Sequence, residues 1–462
     1  MLPDTLTQTL DWLLSAGEAS AARAVARRAL RICPAEDGSA LEQLAWALYR
    51  ARSFAEAADS SSRALLLNPS STEGLFIGAV CLNALGRTPE AEGLIRDALA
   101  RRPDWAAARM TLALFRAIQG HETEAEASFR SLREEFEESD PNHRIATYNL
   151  SWFSFRKGLV KIGALEIEQG RQAGLWGSRS HTGQAPRLKP GTDVKGKRIL
   201  LSGEGGAGDE LIAARFARAL RNEGAEVVVS SRHGLETLLS RSPGVARAIS
   251  EGDARREQVD AIVPAMDLAT LLEIGDATLS PNPYVLANRQ LSEAWASRLD
   301  RESGLKIGIR WQGNSSYETD ALRTLPFGLL EGLSDVPGIR LYSLQRDQGA
   351  EKLRPGSPVI DLAPGLGTWE DTAAAIENLD LVITSCTSVA HLASAMGKAV
   401  WVLVPLYCYH IWAPHQELSP WYRNTRVFRQ ARFGSWHEPI AGVREALRDF
   451  SGRRRAARGT DC

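Results

Sequence analysis

The sequence has little cysteine, and the few cysteines that it has are scattered. Cys33, Cys81, Cys386, Cys408 and Cys462 form no Cys-x-x-Cys pair, and no histidine cluster lies beside them. A disulfide framework and a structural zinc site both require regular spacing, so we expect neither of them. The pattern favours a protein of a reducing compartment.

The sequence also lacks an excess of charge and a long apolar run. Its 55 basic and 56 acidic side chains leave a net charge of -1, without the basic excess that is typical of nucleic-acid-binding proteins. No apolar run approaches the roughly 18 residues that span a bilayer, and no lysine or arginine precedes Arg23, as a signal peptide would require. We therefore expect a cytoplasmic protein with no nucleic-acid partner and no membrane span. The basic tail at 451–462 is interpreted as a solvated end.

The first third of the chain contains an internal repeat. Segments that end in Pro34, Pro69 and Pro103 are spaced by 35 and then 34 residues, and alanines recur in step between them. Small residues let neighbouring helices approach closely, and each proline ends the second helix of a unit. These features resemble the tetratricopeptide repeat and predict an α-helical solenoid over residues 1–175, closed by a helical pair at 141–173. Such a solenoid offers a concave face to a peptide or partner protein; a rigid spacer or a dimerisation element is the alternative.

A linker and two α/β units follow the repeats. Residues 176–194 are rich in glycine and proline, which is typical of a linker. Strand and helix patterns then fill residues 195–300 and start again over residues 301–450, which predicts two Rossmann-like domains that face a cleft. Strands are predicted at 198–202, 226–230, 261–263, 306–311, 340–344, 379–384 and 399–404. Ligands are expected at the carboxyl ends of these strands.

The first α/β half carries a glycine-rich turn between a strand and a helix. Its glycines are Gly203, Gly205, Gly206 and Gly208. The helix then opens with two acidic residues, which would repel a pyrophosphate, and the second strand lacks an acidic residue for a ribose, so a nicotinamide enzyme is not favoured.

A carboxylate after this turn can take the proton from an acceptor hydroxyl. Asp209 is the first candidate for such a base, and Glu210 is the second. The alternative is that both carboxylates only favour the positive end of the helix dipole.

The second half carries a hydroxyl-rich helix start. Its residues are Ser385, Cys386, Thr387 and Ser388, followed one turn later by His391. Hydroxyls and free backbone N–H groups at a helix start suit the phosphates of a nucleotide. The alternatives are that Thr387 or Ser388 is only an N-cap and that His391 is only a packed helix residue.

Further polar residues follow the first two strands of this half. Arg310, Gln312 and Asn314 lie at the end of the first strand, and Gln345 lies at the end of the second. An arginine at this edge can neutralise a departing phosphate, so we expect these residues to contact the nucleotide. The sequence has no His-Glu-x-x-His, Gly-x-Ser-x-Gly or P-loop motif, which leaves protease, hydrolase and P-loop functions without support.

In these motifs the chain resembles the bacterial heptosyltransferase-related glycosyltransferases (glycosyltransferase family 9), in the branch fused to tetratricopeptide repeats. The resemblance is carried by GKRILLSGEGGAGDE (196–210), IRWQGN (309–314), RTLP (323–326), SLQ (343–345), LDLVITSCTSVAHLASAMGKAVWVLVP (379–405) and SPWYRNTRVFRQ (419–430). It implies a GT-B fold and an inverting transfer from a nucleotide sugar, with no metal and no cofactor. It also implies that Asp209 is the base and that Thr387, Ser388 and His391 belong to the donor-phosphate loop.

One position departs from the family's commonest form, because Cys386 stands where that form has an aspartate. Proteins of the same fusion type modify flagellin and other proteins with unusual sugars, so the resemblance favours a hexosyl, heptosyl or related transfer to a protein that the repeats recruit. A lipopolysaccharide or other glycan acceptor is the first alternative. A non-catalytic scaffold with a decayed transferase domain is the second.

Overall fold

The computed structural model describes residues 3–34, 36–177, 185–271, 282–299, 304–413 and 417–459, without the side chains of 269, 270 and 454–459. Its contacts divide into two compact units. The first contains Met1–Ala146, Asn314–Arg323 and Arg432–Gly434, and the second contains Thr147–Gly313, Thr324–Ala431 and Ser435–Cys462. Part of the predicted linker (178–184), the predicted boundary at 300 and Cys462 lie outside the described residues.

The first unit is built from consecutive antiparallel helices. They are α1 (Asp4–Ser15), α2 (Ala19–Ile32), α3 (Gly38–Arg50), α4 (Phe54–Leu67), α5 (Thr72–Ala84), α6 (Thr88–Arg101), α7 (Ala106–Ile118), α8 (Glu122–Glu135) and the start of α9 (Pro141–Arg156). Buried alanines such as Ala22, Ala45 and Ala57 pack with Leu44 and Leu48, which brings the helix axes close together.

Within each repeat, the chain turns between its two helices at the same position. Gly86 and Gly120 occupy it with φ of 80° and 96°, a left-handed conformation that glycine adopts without steric cost. In the preceding repeat the position is Arg52, with φ of 59°. The 34-residue period is therefore visible in the backbone even where the glycine is missing.

The second unit begins with the end of α9 and with α10 (Val160–Gln172), and then contains two parallel sheets. The first sheet has the order β3-β2-β1-β4, and the second has the order β10-β9-β8-β5-β6-β7. The strands are β1 (Arg198–Ser202), β2 (Glu226–Ser231), β3 (Val245–Ser250), β4 (Ala261–Pro264), β5 (Leu305–Arg310), β6 (Ile339–Ser343), β7 (Ile360–Asp361), β8 (Leu381–Ser385), β9 (Val400–Val404) and β10 (Thr425–Arg429).

Helices connect these strands. They are α11 (Ala207–Ala214), α12 (Ala217–Asn222), α13 (Glu236–Leu239), α14 (Glu251–Ala254), α15 (Leu268–Leu271), α16 (Arg289–Leu299), α18 (Phe327–Glu331), α19 (Trp369–Glu377), α20 (Ser388–Ala395) and α21 (His437–Gly459), while α17 (Asp320–Arg323) belongs to the first unit. The central strands β1, β8 and β9 are buried almost throughout, as expected for strands covered on both faces. Because all strand pairs run parallel, the carboxyl ends of each sheet gather at one edge.

The described residues confirm the predicted fold class, an α-helical solenoid followed by the two Rossmann-like sheets of a GT-B arrangement. One boundary differs from the sequence interpretation, because the division falls between Ala146 and Thr147 and not after residue 175. The helical pair expected to close the repeats thus groups in large part with the α/β sheets. In the described part of the chain, no helix combines the length and the apolar character needed to cross a membrane.

Candidate active site

The glycine-rich turn after β1 is shaped by the two carboxylates that fold back over it. A Cβ on Gly203 would lie 2.5 Å from Cγ of Glu210, and one on Gly205 would lie 2.0 Å from Oδ2 of Asp209. The glycines therefore leave room for acidic side chains of the protein itself.

Asp209 lies in the first turn of α11 and is half-buried. Its Oδ2 accepts a hydrogen bond from the Gly206 N–H at 2.6 Å, and its Oδ1 accepts one from the Tyr409 hydroxyl at 2.5 Å. Burial raises the pKa of Asp209 above its ordinary value, although both hydrogen bonds act in the opposite direction. A carboxylate of raised basicity suits proton abstraction.

Glu210, the second candidate base, has a different environment. Its side chain has no exposed surface, and its two oxygens accept hydrogen bonds from the Ser231 hydroxyl at 2.6 Å and the Arg232 N–H at 2.9 Å. It ties α11 to the end of β2, beyond the reach of a substrate. The structure therefore favours Asp209 as the base and corrects the second choice, because Glu210 serves the fold.

Gly208 brings the two halves of the second unit together. A Cβ at this position would lie 2.8 Å from Cδ2 of His391 on α20, so the two helices meet where glycine leaves space. The ring of Tyr409 lies edge-on to His391, with centroids 6.2 Å apart, while its hydroxyl bonds Asp209. The candidate base and the predicted donor loop are thus joined through Tyr409.

The predicted donor loop lies at the end of β8. Thr387 occupies the N-cap of α20 without a side-chain capping bond, which argues against the simple N-cap alternative for it. Its Oγ1 lies 3.4 Å from that of Thr384, and the buried hydroxyl of Ser385 has no hydrogen-bond partner among the described residues. Ser388 begins the helix and is partly exposed, whereas Cys386 is buried in the core. The loop therefore combines hydroxyls with a helix start, as the sequence predicts.

Arg310 and Gln345 are held in a network that joins the ends of β5 and β6. Arg310 donates to the carbonyl oxygens of Gln312 and Leu344 at 3.1 and 3.0 Å, and to Oδ1 of Asp347 at 3.1 Å. Gln345 is fully buried and bonds the Gln312 N–H through Oε1 at 3.0 Å. Both side chains have a structural role here, and contact with a nucleotide stays a prediction for them.

Two other residues of this predicted set remain. Gln312 is partly exposed, and its Oε1 accepts from Nζ of Lys352 at 3.4 Å. Asn314 belongs to the first unit, where its side chain accepts from the Ser316 N–H at 2.9 Å. The structure therefore does not bring Asn314 into the group formed by Asp209 and His391.

An aromatic group around His391 was missed by the sequence reasoning. The Tyr422 hydroxyl lies 3.2 Å from Nδ1 of His391, and the ring of Trp412 lies 5.0 Å from the histidine ring. Beside Tyr422 lies Arg215, whose guanidinium is 4.6 Å from the tyrosine ring. These residues carry no short motif; the SPWYRN segment that contains Tyr422 was the available signal.

Next to Asp209 the second unit contains a pocket. Its apolar lining includes Phe155, Val160, Ile212, Phe216, Met266 and Trp421. Tyr409 and His410 also line it. Burial, together with the charge of Arg156, lowers the pKa of His410 to about 3, so this histidine is neutral at physiological pH. Asp209 is therefore the charged side chain of a largely apolar lining.

Helix α10 fastens the glycine-rich turn from the other side. Arg171 donates from Nε and Nη2 to the two oxygens of Glu204 at 2.6 and 2.7 Å, and from Nη1 to Asp267 at 2.9 Å. Arg171 and Glu204 are both almost fully buried, so each needs the other's charge. Among the described residues, no group of three or more histidine, cysteine or acidic side chains is arranged to hold a metal ion.

The chain was compared with known proteins. No protein-family model matches it. The protein FlbA of Caulobacter vibrioides is 24% identical over 341 residues, a match that covers 66% of this chain and 56% of that protein. The chain thus spans little more than half the length of this curated relative.

Two solved structures are similar in part. The O-GlcNAc transferase of Thermobaculum terrenum is 15% identical with a TM-score of 0.42 to 0.43, covering 98% of this chain and 94% of its own. A glycosyltransferase family 9 protein of Veillonella parvula is 11% identical with a TM-score of 0.42, covering 52% of this chain and 87% of its own. At such values the likenesses decide nothing about the chemistry of this chain.

Proposed function

We propose that this protein is an inverting, metal-independent glycosyltransferase that moves a sugar from a nucleotide sugar to an acceptor hydroxyl. The observation that carries the proposal is the meeting of Asp209 with His391 of the hydroxyl-rich helix start, joined through Tyr409. A base and an anion-binding loop on opposite halves are the parts that such a transfer needs.

In the proposed reaction, Asp209 takes the proton of the acceptor hydroxyl while the hydroxyl oxygen bonds the anomeric carbon. The bond between that carbon and the nucleotide phosphate breaks, and its electron pair leaves with the phosphate. The backbone N–H groups and hydroxyls of Ser385, Thr387 and Ser388 stabilise the negative charge that develops there. His391 is positioned by the Tyr422 hydroxyl at 3.2 Å and faces Gly208 across the two halves.

For the acceptor we propose a protein, for example flagellin, recruited in the cytoplasm by the helical repeats. The first unit supports this role with partly exposed aromatic rings on successive repeats. Trp46 and Phe76 stack with centroids 5.8 Å apart, and Trp105 follows 4.8 Å from Phe76. Aromatic side chains of this kind are common anchors in protein interfaces.

The first experiment identifies the donor. Thermal unfolding of the full chain is followed with UDP, GDP, ADP, TDP and CMP sugars, because a selective ligand raises the melting temperature by mass action. We expect one nucleotide class to stabilise the chain. A chain that binds none of these sugars and transfers none would contradict the proposal and favour the scaffold alternative.

The second experiment tests the base with Asp209→Asn. Turnover with the selected donor should fall by about 10²–10⁴-fold, while donor affinity stays unchanged, because the base acts on the acceptor. Glu223→Gln is the control, since Glu223 is an exposed carboxylate at the end of α12. Near-full activity of Asp209→Asn would show that Asp209 is not the base.

A further inference from the structure

The pocket beside Asp209 has few polar groups for its position in a transferase. Among the described residues of its lining, the polar side-chain groups are the Asp209 carboxylate, the Tyr409 hydroxyl, the neutral imidazole of His410 and the indole of Trp421. The first two already bond each other at 2.5 Å. The rest of the lining is aliphatic or aromatic.

This inventory discriminates between acceptor classes. A monosaccharide carries several hydroxyls, and each one that enters without a partner loses its hydrogen bonds to water. The pocket offers too few free donors and acceptors to replace them. An aliphatic group with a single hydroxyl fits better, because its carbon atoms contact Ile212, Phe216 and Met266 while its hydroxyl reaches Asp209.

The helical pair before the sheets builds one wall of this pocket. Phe155 lies near the end of α9, and Val160 begins α10. Phe155 packs on His410 with ring centroids 5.2 Å apart, and Arg171 of the same helical pair holds the glycine-rich turn through Glu204. The wall is therefore fixed to the loop that carries Asp209.

We propose that this pocket is the acceptor subsite, that it takes a hydroxyl on an apolar side chain, a threonine side chain above all, and that Phe155 and Val160 determine its specificity. The inference rests on the proposed function and names the acceptor class of the same site. The threonine methyl occupies the apolar lining, and the hydroxyl gives its proton to Asp209 as its oxygen bonds the anomeric carbon. Serine, which lacks the methyl, binds about fourfold less tightly.

The experiment measures binding in the full chain without a donor. Met266 lines the pocket, so its methyl group, labelled with ¹³C and assigned with Met266→Leu, reports occupancy by NMR. The probes are N-acetylthreonine N-methylamide, the serine analogue and methyl glucoside. We expect a saturable shift with the threonine probe, a weaker one with the serine probe, and none with the glucoside.

Two matched variants test the wall. Val160→Phe fills the pocket and should weaken the threonine probe at least about tenfold, which is the effect expected from losing one well-packed group. Leu165→Phe is the control, because Leu165 lies on the same helix α10 and is 76% exposed. It should bind like the parent chain.

Equal or tighter binding of the glucoside would overturn the assignment, as would an unchanged affinity in Val160→Phe or the absence of any shift. Binding is read without sugar transfer, so the two proposals fail separately. Loss of transfer with an intact threonine shift would contradict the glycosyltransferase proposal alone, and transfer without the threonine preference would contradict the pocket assignment alone.

Discussion

The phenolic hydroxyl of Tyr409 donates a 2.5 Å hydrogen bond to Oδ1 of Asp209. Tyr409 follows β9 in the second sheet, whereas Asp209 follows β1 in the first. The bond stabilises the ionised carboxylate and so opposes the effect of burial, which raises the pKa of Asp209. A residue 200 positions away thereby tunes the candidate base.

Tyr409→Phe should shift the acid limb of the pH–activity profile to higher pH. Loss of the hydrogen bond removes a stabilisation of the carboxylate, so the pKa of Asp209 rises, and the base is protonated at a pH where it was ionised before. A shift of about one pH unit in kcat/KM is expected from one hydrogen bond to a charged group. Tyr407→Phe, which alters a neighbouring ring, should leave the profile in place; equal profiles for both variants would contradict the coupling.

His410 should make stability fall in acid. Its folded pKa of about 3 lies below the ordinary 6.5, so its stabilising contribution is complete above pH 6.5 and is lost as the pH falls toward 3. In this window it adds a slope of up to about 1.4 kcal/mol per pH unit to the free energy of unfolding. Urea unfolding at a series of pH values should show this slope in the parent and in the exposed-site control His437→Gln. His410→Gln should reduce it; an unchanged slope would show that His410 is not responsible.

Arg171→Met should destabilise the second unit strongly. It leaves the carboxylates of Glu204 and Asp267 buried without their shared cation, a change that costs about 3–5 kcal/mol. Arg289→Met is the control, because the Arg289–Glu293 pair is exposed on both sides and contributes less than about 1 kcal/mol. Urea unfolding measures both variants, and comparable small effects would mean that the buried network is not needed for stability.

A fragment of residues 141–462 should fold and bind the nucleotide sugar, whereas a fragment of residues 176–462 should be far less stable. The shorter fragment lacks Arg171, Phe155 and Val160, which contact the α/β sheets in the second unit. Thermal unfolding and nucleotide titration compare the two. The longer fragment should also modify a protein acceptor less than the full chain does, because it lacks most of the repeats. Equal stability of both fragments would place the boundary near residue 175 after all.

The regular parts of the fold were predictable because local patterns specify them. The period of 34 and the alanines at close helix contacts predict the solenoid, and the apolar runs predict strands such as β1 and β9 within a residue or two. The edge strands β3 and β10 were not predicted. In β3 (VARAIS) most side chains are only partly buried, so it lacks the continuous apolar run of the central strands.

The candidate site was predictable only where a residue type already suggests its chemistry. Asp209 and the hydroxyls before α20 stand directly after predicted strands, which is where parallel sheets place ligands. Tyr409 and Tyr422 could not be found in this way, because their partners are Asp209 and His391, far away along the chain. Conversely, Arg310 and Gln345 suggested a phosphate site, but their hydrogen bonds are used to join β5 to β6.

The sequence by itself determined the order of the elements, the repeat, the two parallel sheets and the acidic and hydroxyl-rich loops at their edges, because periodicity and strand-end chemistry are local properties. Only the tertiary structure decided between Asp209 and Glu210, since both follow the same turn and differ in what surrounds them. It also decided that α10 belongs with the sheets, because the buried pair of Arg171 and Glu204 joins segments that no local pattern relates. Burial and charge pairing depend on which distant segments meet, and that is settled only when the chain packs.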